Sequence, residues 1–199
     1  NQLVPGSIPG RGVSFTTNLL YNIPSKFPDL LISNMVTYVE SLHYQTASIA
    51  NEVEDLDVRS TSVSWIPWDE WIPGIIHNMM TCANKTHFNY DLNYFQSKIQ
   101  STIYYGEKQD HYSWHVDNDD ASICGDMERK LSCSLLLSGP DEYDGGEFEI
   151  DYQPNLNKSI KPNKGDCIVF PAWVPHRVKP VTKGRRISLV AWMMGPMFK

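Results

Sequence analysis

Two stretches in the first half of the chain repeat apolar residues every three to four positions, which is the spacing of one helix face. The first stretch lies between Pro28 and Gln45, and its apolar positions are Leu31, Met35, Val39 and Leu42. The second follows Asp69, a residue type that caps helix N-termini, and its positions are Ile72, Ile75, Ile76, Met79, Met80 and Ala83. Both stretches are predicted to be amphipathic helices that cover another layer of the fold.

After residue 90 the pattern changes to short runs of β-forming residues separated by turn residues. The predicted strands are residues 98–105, 112–116, 131–137, 147–151, 166–170, 176–181 and 186–193. Glycines and prolines separate them, and the Gly145-Gly146 pair is predicted to form a hairpin turn. Many short strands at regular spacing are typical of a sandwich or barrel, so we predict a mainly β fold with helices on one outer face.

Length and composition restrict the classes of function. The 199 residues fit one domain, predicted at 13–199 after a flexible lead-in or cloning remnant at 1–12. Apolar stretches fall short of the roughly 20 residues that span a bilayer, so no membrane role is expected. The 17 basic and 23 acidic side chains give a net charge of −6, which argues against nucleic-acid binding. Four cysteines without a Cys-x-x-Cys pair, and no recognisable signal peptide, predict a cytoplasmic setting.

The candidate chemistry begins at His115 and Asp117, which are two positions apart in a predicted strand. Alternate residues of a strand share a face, so this imidazole and this carboxylate could bind one metal ion. His176 follows a predicted strand and a proline-rich turn, and it would complete a triad of two histidines and one carboxylate. Such a triad is typical of non-haem Fe(II) oxygenases. The alternative for an isolated His-x-Asp is a solvated strand end.

A carboxylate-binding group is predicted ten residues after His176. Arg186 opens a predicted strand in which it shares one face with Ser188, Val190 and Trp192. The planar fork of an arginine matches the two oxygens of a carboxylate, and a serine hydroxyl adds a further donor. The alternative for a lone buried arginine is a structural ion pair. Here the arginine is expected within reach of a dicarboxylate bound at the metal.

With these motifs in order, the chain resembles the iron- and 2-oxoglutarate-dependent dioxygenases, specifically the prolyl 4-hydroxylase-like branch that includes the bacterial PKHD-type hydroxylases. The resemblance runs over about residues 100–196, within an iron and co-substrate core at about 98–196. It is carried by the Tyr-Tyr-Gly and Trp-His-Val-Asp sequences at 104–117 and by residues 129–137, 140–147, 164–166, 170–171, 176–181 and 184–192.

The resemblance implies a double-stranded β-helix, or jelly roll, with helices packed on the outer face of the major sheet. It implies that His115, Asp117 and His176 bind Fe(II) and are the catalytic centre. It also implies that Arg186, with Ser188 beside it, pairs with the distal carboxylate of 2-oxoglutarate. O₂ would be the second co-substrate, succinate and CO₂ would be released, and ascorbate is a candidate reductant.

The resemblance also suggests residues that contact the co-substrate and the substrate, and for each of them an alternative stays open. Tyr104 matches a tyrosine that contacts the co-substrate, but Tyr105 competes with it because a one-residue insertion before His115 leaves the register undecided. Trp192 matches a tryptophan on the substrate side of prolyl hydroxylases, and Tyr112 matches an aromatic residue at the cavity mouth. The alternative for these two aromatic residues is packing in the core. Collagen-type prolyl hydroxylases carry lysine where this chain has arginine at 186, which weakens the transfer of prolyl specificity.

Three functional hypotheses result. The first is a hydroxylase that acts on an unactivated C–H bond of a protein or peptide residue such as proline. The second is an oxygenase of a small metabolite or free amino acid, and the third is a non-catalytic metal-binding jelly roll. Segment 59–71, with Trp65, Trp68 and Trp71, is predicted to be a loop-like rim that contacts an extended substrate. The alternative is that Trp65 and Trp68 seal the junction between helices and sheet.

Overall fold

The computed structural model describes residues 19–25, 27–47, 55–96, 98–118, 125–151 and 157–197, so the predicted lead-in at 1–12 lies outside the described residues. The two α-helices are α1 (Asp29–Glu40) and α2 (Trp71–Ala83). Neither of these described helices has the length and apolar character needed to cross a membrane. The described strands are β1 (Tyr21–Ile23), β2 (Gln45–Thr46), β3 (Arg59–Ser60), β4 (Ser62–Pro67), β5 (Tyr94–Phe95), β6 (Lys98–Tyr105), β7 (His111–His115), β8 (Met127–Leu136), β9 (Tyr143–Gly145), β10 (Phe148–Asp151), β11 (Asn157–Ile160), β12 (Cys167–Pro171), β13 (His176–Val178) and β14 (Val181–Pro196).

The strands form two antiparallel sheets that face each other. The larger sheet has the order β1-β12-β8-β14-β6-β4-β2, with β5 and β9 also paired to β14, and the smaller has the order β11-β10-β13-β7-β3. Apolar side chains from both sheets fill the space between them, among them Leu136, Ile168 and Phe170 from the larger sheet and Phe148, Ile150 and Val178 from the smaller. This arrangement confirms the predicted mainly β jelly roll.

Both helices cover the outer face of the larger sheet, as predicted. Their buried residues join one apolar cluster with the outward side chains of β8 and β14, and those of the helices are Ile32, Met35, Val39, Ile72, Ile76, Met80 and Ala83. The predicted cap at Asp69 is wrong, because the N-cap position of α2 is Glu70 and forms no side-chain cap hydrogen bond. Pro73 stays in the first turn, where a missing N–H is tolerated.

The prediction that segment 59–71 is loop-like is wrong. It contains β3 and β4, and β4 pairs along its whole length with β6 in the larger sheet. Val63 and Ile66 are buried while Trp65 is partly exposed. Ser62 and Ser64 share one face of β4 with the buried Ile66, so the apolar alternation that would have identified a strand is hidden on that face.

The Gly145-Gly146 turn has the predicted backbone conformation but a different role. Both residues have positive φ, 72° and 64°. They connect β9, which pairs with β14, to β10 in the smaller sheet, so the turn passes between sheets instead of closing a hairpin. A Cβ at Gly146 would lie 3.0 Å from Arg186 Cδ. The turn therefore lies directly against the predicted carboxylate-binding arginine.

Candidate metal centre and cavity

Strands β7 and β13 bring the three predicted metal ligands together. His115 ends β7, His176 begins β13, and the two residues are paired in the antiparallel register. Asp117 follows β7, with Oδ1 3.8 Å from His115 Nε2 and Oδ2 3.6 Å from His176 Nε2. One ligand atom from each residue lies within 4.8 Å of the others. The predicted triad is therefore present as one compact cluster.

Backbone carbonyl groups orient both histidines for metal binding. His115 Nδ1 lies 2.8 Å from the Ser113 carbonyl oxygen, and His176 Nδ1 lies 3.0 Å from that of Val174. Because a carbonyl oxygen can only accept a hydrogen bond, each Nδ1 carries the proton and donates this bond, and each Nε2 keeps its lone pair. Fixing the tautomer in this way is the usual outer support of a metal-binding histidine.

Asp117 is held at its backbone and at its side chain. Its N–H donates to the Ala172 carbonyl oxygen at 2.8 Å, and its own carbonyl oxygen accepts from Arg129 Nη1 at 3.2 Å. Its Oδ2 accepts a hydrogen bond of 2.6 Å from Ser132 Oγ. Two separate segments, β8 and the residue after β12, therefore fix the position of Asp117.

The charge states of the cluster suit a divalent cation. Burial, together with the neighbouring His176, lowers the pKa of His115 to about 3. Burial by itself would raise the pKa of Asp117, but His176, His115 and the Ser132 hydroxyl outweigh it and lower that pKa to about 2. At neutral pH His115 is neutral and Asp117 is ionised, which are the forms that bind metal.

Aromatic side chains support the two imidazole rings. The Tyr112 ring stacks on His115 with centroids 3.5 Å apart and an interplanar angle of 15°. The guanidinium carbon of Arg59 lies over the Tyr112 ring, 4.4 Å from its centroid. Phe170 meets the His176 ring edge-on at 4.6 Å. These contacts leave the histidine rings little freedom to rotate.

A cavity of about 240 Å³ opens beside the cluster. Its wall contains all three metal ligands and five further residues predicted for the site, namely Arg186, Ser188, Tyr104, Trp192 and Tyr112. The first four lie on the central strands of the larger sheet, and Tyr112 lies on β7. Residues predicted from separate motifs thus converge on one space.

Arg186 is buried at 2% exposure and is directed into this cavity. Its Nη1 donates to Ser188 Oγ at 2.9 Å, and that hydroxyl is 2.8 Å from Thr102 Oγ1. Its Nε has no hydrogen-bond partner among the described residues. A buried guanidinium with an unsatisfied donor is costly, and a carboxylate is the group that satisfies it best. The residues present therefore fit a dicarboxylate held between the metal cluster and Arg186.

The structure separates the two candidate tyrosines. Tyr104 is 3% exposed, lines the cavity and is paired with Arg186 across β6 and β14, with the guanidinium carbon 5.6 Å from its ring centroid. Tyr105 packs on the helix-covered side of the sheet, because neighbouring strand residues point to opposite faces. Burial raises the pKa of Tyr104, so its hydroxyl keeps its proton.

Several cavity residues were missed in the sequence. They are Gln45, Gln100, Thr102 and Arg129. Gln100 and Thr102 alternate with Tyr104 along β6, so the period of two would have found them. Arg59, Val63 and Trp65 also line the cavity, and they belong to segment 59–71, which was predicted to border the site although as a loop. Trp68, by contrast, is 68% exposed.

The family model of the 2OG-Fe(II) oxygenase superfamily matches residues 99–194, which contain the three ligands and Arg186. This segment, just under half of the chain, is similar to the 2OG-Fe(II) oxygenase superfamily. The superfamily is named for 2-oxoglutarate and Fe(II), and this chain carries a ligand cluster and a buried arginine that fit both.

A curated relative agrees with the resemblance found in the sequence. A PKHD-type hydroxylase of Janthinobacterium sp. (strain Marseille) is 41% identical over 90 residues, which are 44% of this chain and 39% of the relative. The match thus spans about two fifths of the length of the relative. Similarity to the PKHD-type branch is confirmed at the level of sequence.

Solved structures confirm the jelly-roll fold of this chain. A Pseudomonas putida prolyl-4-hydroxylase is similar with a TM-score of 0.69 and 21% identity, covering 88% of this chain and 92% of that one. A Trichoplax adhaerens prolyl hydroxylase, in complex with a peptide fragment of the hypoxia inducible factor oxygen degradation domain, gives 0.72 and 18%, covering 89% and 84%. At these identities the likeness concerns the fold.

Proposed function

We propose that the protein is an Fe(II)- and 2-oxoglutarate-dependent dioxygenase that hydroxylates an unactivated C–H bond. The observation that carries this proposal is the presence of the His115, Asp117 and His176 cluster and the unsatisfied, buried Arg186 in one cavity. When bound, iron and 2-oxoglutarate supply O₂ activation: one oxygen atom enters succinate as CO₂ leaves, and the other becomes the hydroxyl of the product.

The residues of this chain have separate tasks in that reaction. His115, Asp117 and His176 would hold Fe(II) and would leave its remaining coordination positions to the co-substrate and O₂. Arg186, Ser188 and Tyr104 receive the distal carboxylate of 2-oxoglutarate. Phe148 and Phe170 line the same cavity with apolar surface and keep water from the reacting atoms.

We propose a protein or peptide residue such as proline as the substrate. Trp65 and Trp192 form an aromatic wall with ring centroids 6.3 Å apart, and Arg129 lies 4.0 Å over the Trp192 ring. Trp192 Nε1 is buried without a hydrogen-bond partner among the described residues. A peptide carbonyl would satisfy this indole N–H. The similarity to prolyl hydroxylases, one of them bound to a peptide, supports the same class.

A small metabolite or free amino acid is the second candidate. The cavity volume of about 240 Å³ favours it, because ligand pockets usually measure roughly 300–1,000 Å³. A cavity of this volume suits the co-substrate and one small group. The test is succinate release from 2-oxoglutarate with Fe(II), measured against proline-containing peptides and free amino acids. No stimulation by any proline-containing peptide, with stimulation by a free amino acid, would contradict the peptide proposal.

Tyr104→Phe should raise the 2-oxoglutarate concentration needed for half-maximal turnover by about tenfold. The hydroxyl is proposed to bond a charged carboxylate, and losing such a bond costs about 1.5 kcal/mol or more. Tyr105→Phe is the matched control, because this neighbour faces the helices. Initial succinate rates at varied 2-oxoglutarate measure both. An equal effect in the two variants would remove Tyr104 from the co-substrate site.

Trp65→Ala should raise the KM for the substrate severalfold while leaving uncoupled 2-oxoglutarate decay nearly unchanged. Trp65 lines the cavity on the side away from Arg186, whereas Trp68 is mostly exposed and serves as the control. Hydroxylated product and succinate are measured in parallel, with the melting temperature of each variant. A larger effect of Trp68→Ala than of Trp65→Ala would show that the substrate lies on the outer surface.

We also propose a reducing, cytoplasmic setting. Cys133 and Cys167 are buried thiols on neighbouring strands, and Cys82 is an exposed thiol. Free thiols are typical of proteins that work where glutathione keeps cysteines reduced. Thiol titration of the protein purified under non-reducing conditions, with and without denaturant, tests this setting. Disulfides among these cysteines in the protein isolated from its own cells would contradict it.

A further inference from the structure

The hydroxyl of Ser132 makes an unusually well-protected contact with the metal-binding carboxylate. Ser132 Oγ donates to Asp117 Oδ2 at 2.6 Å, with Ser132 at 0% and Asp117 at 7% exposure. Ser132 belongs to β8 in the middle of the larger sheet, where it is paired with Phe170 of β12 and Trp192 of β14. The donor is therefore held by two neighbouring strands.

The placement of Asp117 between two imidazoles makes the orientation of its carboxylate important. Oδ1 is the oxygen near His115 Nε2, and Oδ2 is the oxygen near His176 Nε2. A carboxylate in this position could bind a metal through one oxygen or through both. The Ala172 carbonyl and Arg129 fix the backbone on both sides of the Cα, so the remaining freedom is rotation of the carboxylate. Ser132 restricts that rotation.

We propose that Ser132 is a positioning residue that keeps Asp117 a one-oxygen metal ligand. With Oδ2 engaged by the hydroxyl, Oδ1 would bind the metal, and the protein would use three of its six coordination positions. Binding through both oxygens would use four coordination positions and leave two, which is one too few for a chelating 2-oxoglutarate and O₂. The reason for keeping a coordination position free, which is to admit O₂, rests on the proposed function. The effect of Ser132 on metal coordination can be measured without turnover.

The test compares Ser132→Thr with Ser132→Val, a pair of nearly equal volume that differs in the hydroxyl, and adds Ser132→Ala. Ser134→Ala is the matched control, because Ser134 lies on the same face of β8 in the cavity wall. Each variant is loaded with Co(II) without O₂. The visible absorption spectrum reports coordination, and competition with a chelator gives the dissociation constant, before and after addition of 2-oxoglutarate.

The expected result is a changed Co(II) spectrum and a roughly 10- to 100-fold weaker metal affinity in the valine and alanine variants, with a smaller spectral response to 2-oxoglutarate. The threonine and Ser134→Ala variants should resemble the unaltered protein. Equal spectra in the valine and threonine variants would overturn the role of the hydroxyl. If the unaltered protein bound Co(II) but showed no response to 2-oxoglutarate, the proposed function would fail, and the comparison of spectra would still decide the role of Ser132.

Discussion

His176→Ala is expected to abolish Fe(II) binding and 2-oxoglutarate turnover together. His176 Nε2 is one of three ligand atoms in a cluster with no fourth described side chain to replace it. Loss of a partner that merely supports a ligand costs about 10- to 100-fold in metal affinity, so loss of the ligand itself should cost more. The fold should persist, because His176 belongs to a strand of only three residues and both apolar clusters are built from other side chains.

Anaerobic titration with Fe(II) and succinate release measure the two effects, and the melting temperature checks the fold. His43→Ala is the control, because His43 is exposed and lies outside the cavity wall. His115→Ala and Asp117→Ala should behave like His176→Ala. Near-normal turnover in any of these three variants would refute the metal centre.

Arg186→Ala is expected to raise the requirement for 2-oxoglutarate by roughly 10- to 150-fold while leaving Fe(II) affinity almost unchanged. The change removes charged hydrogen bonds to the distal carboxylate, each worth about 1.5–3 kcal/mol. The 2-oxoglutarate requirement of Arg186→Lys should lie between those of the unaltered protein and Arg186→Ala, because the lysine keeps the charge and loses the planar fork. Rates at varied 2-oxoglutarate and fixed iron give the comparison.

The neighbouring arginine provides the control for that experiment. Arg185 pairs with Glu40 on the protein surface and does not line the cavity. Arg185→Ala should therefore leave the 2-oxoglutarate requirement at its normal value. If the two variants gave the same requirement, the co-substrate would have to bind elsewhere. Arg177 is a poor substitute, because it is engaged by Glu149 on the smaller sheet.

Local spacing was enough to predict the parts of the molecule that repeat with the period of a strand or a helix. β6 has the predicted bounds, and the face shared by Arg186, Ser188, Val190 and Trp192 does line the cavity. The His-x-Asp spacing identified two ligands, and the resemblance tied them to His176. These features depend on the order of residues within one element or one motif.

Contacts between distant elements could not be predicted in the same way. The bond from Ser132 to Asp117 joins residues on β8 and beyond β7, and nothing in the spacing of a serine and an aspartate indicates it. Arg59 reaches the site because β3 pairs with β7, a pairing that two residues of strand do not reveal. The choice between Tyr104 and Tyr105 needed the face of β6, which an ambiguous register in the sequence left open.

The position of β14 has a consequence for the order in which this protein acquires its structure. β14 lies between β8 and β6 in the larger sheet, although it follows both in the chain. Until residues 181–196 leave the ribosome, the larger sheet consists of two halves with open, unpaired edges. The nascent chain should therefore stay prone to association until β14 has been made. Because Arg186 arrives on that same strand, a chain that ends before β14 would hold the histidines and aspartate without the arginine proposed to pair with the co-substrate.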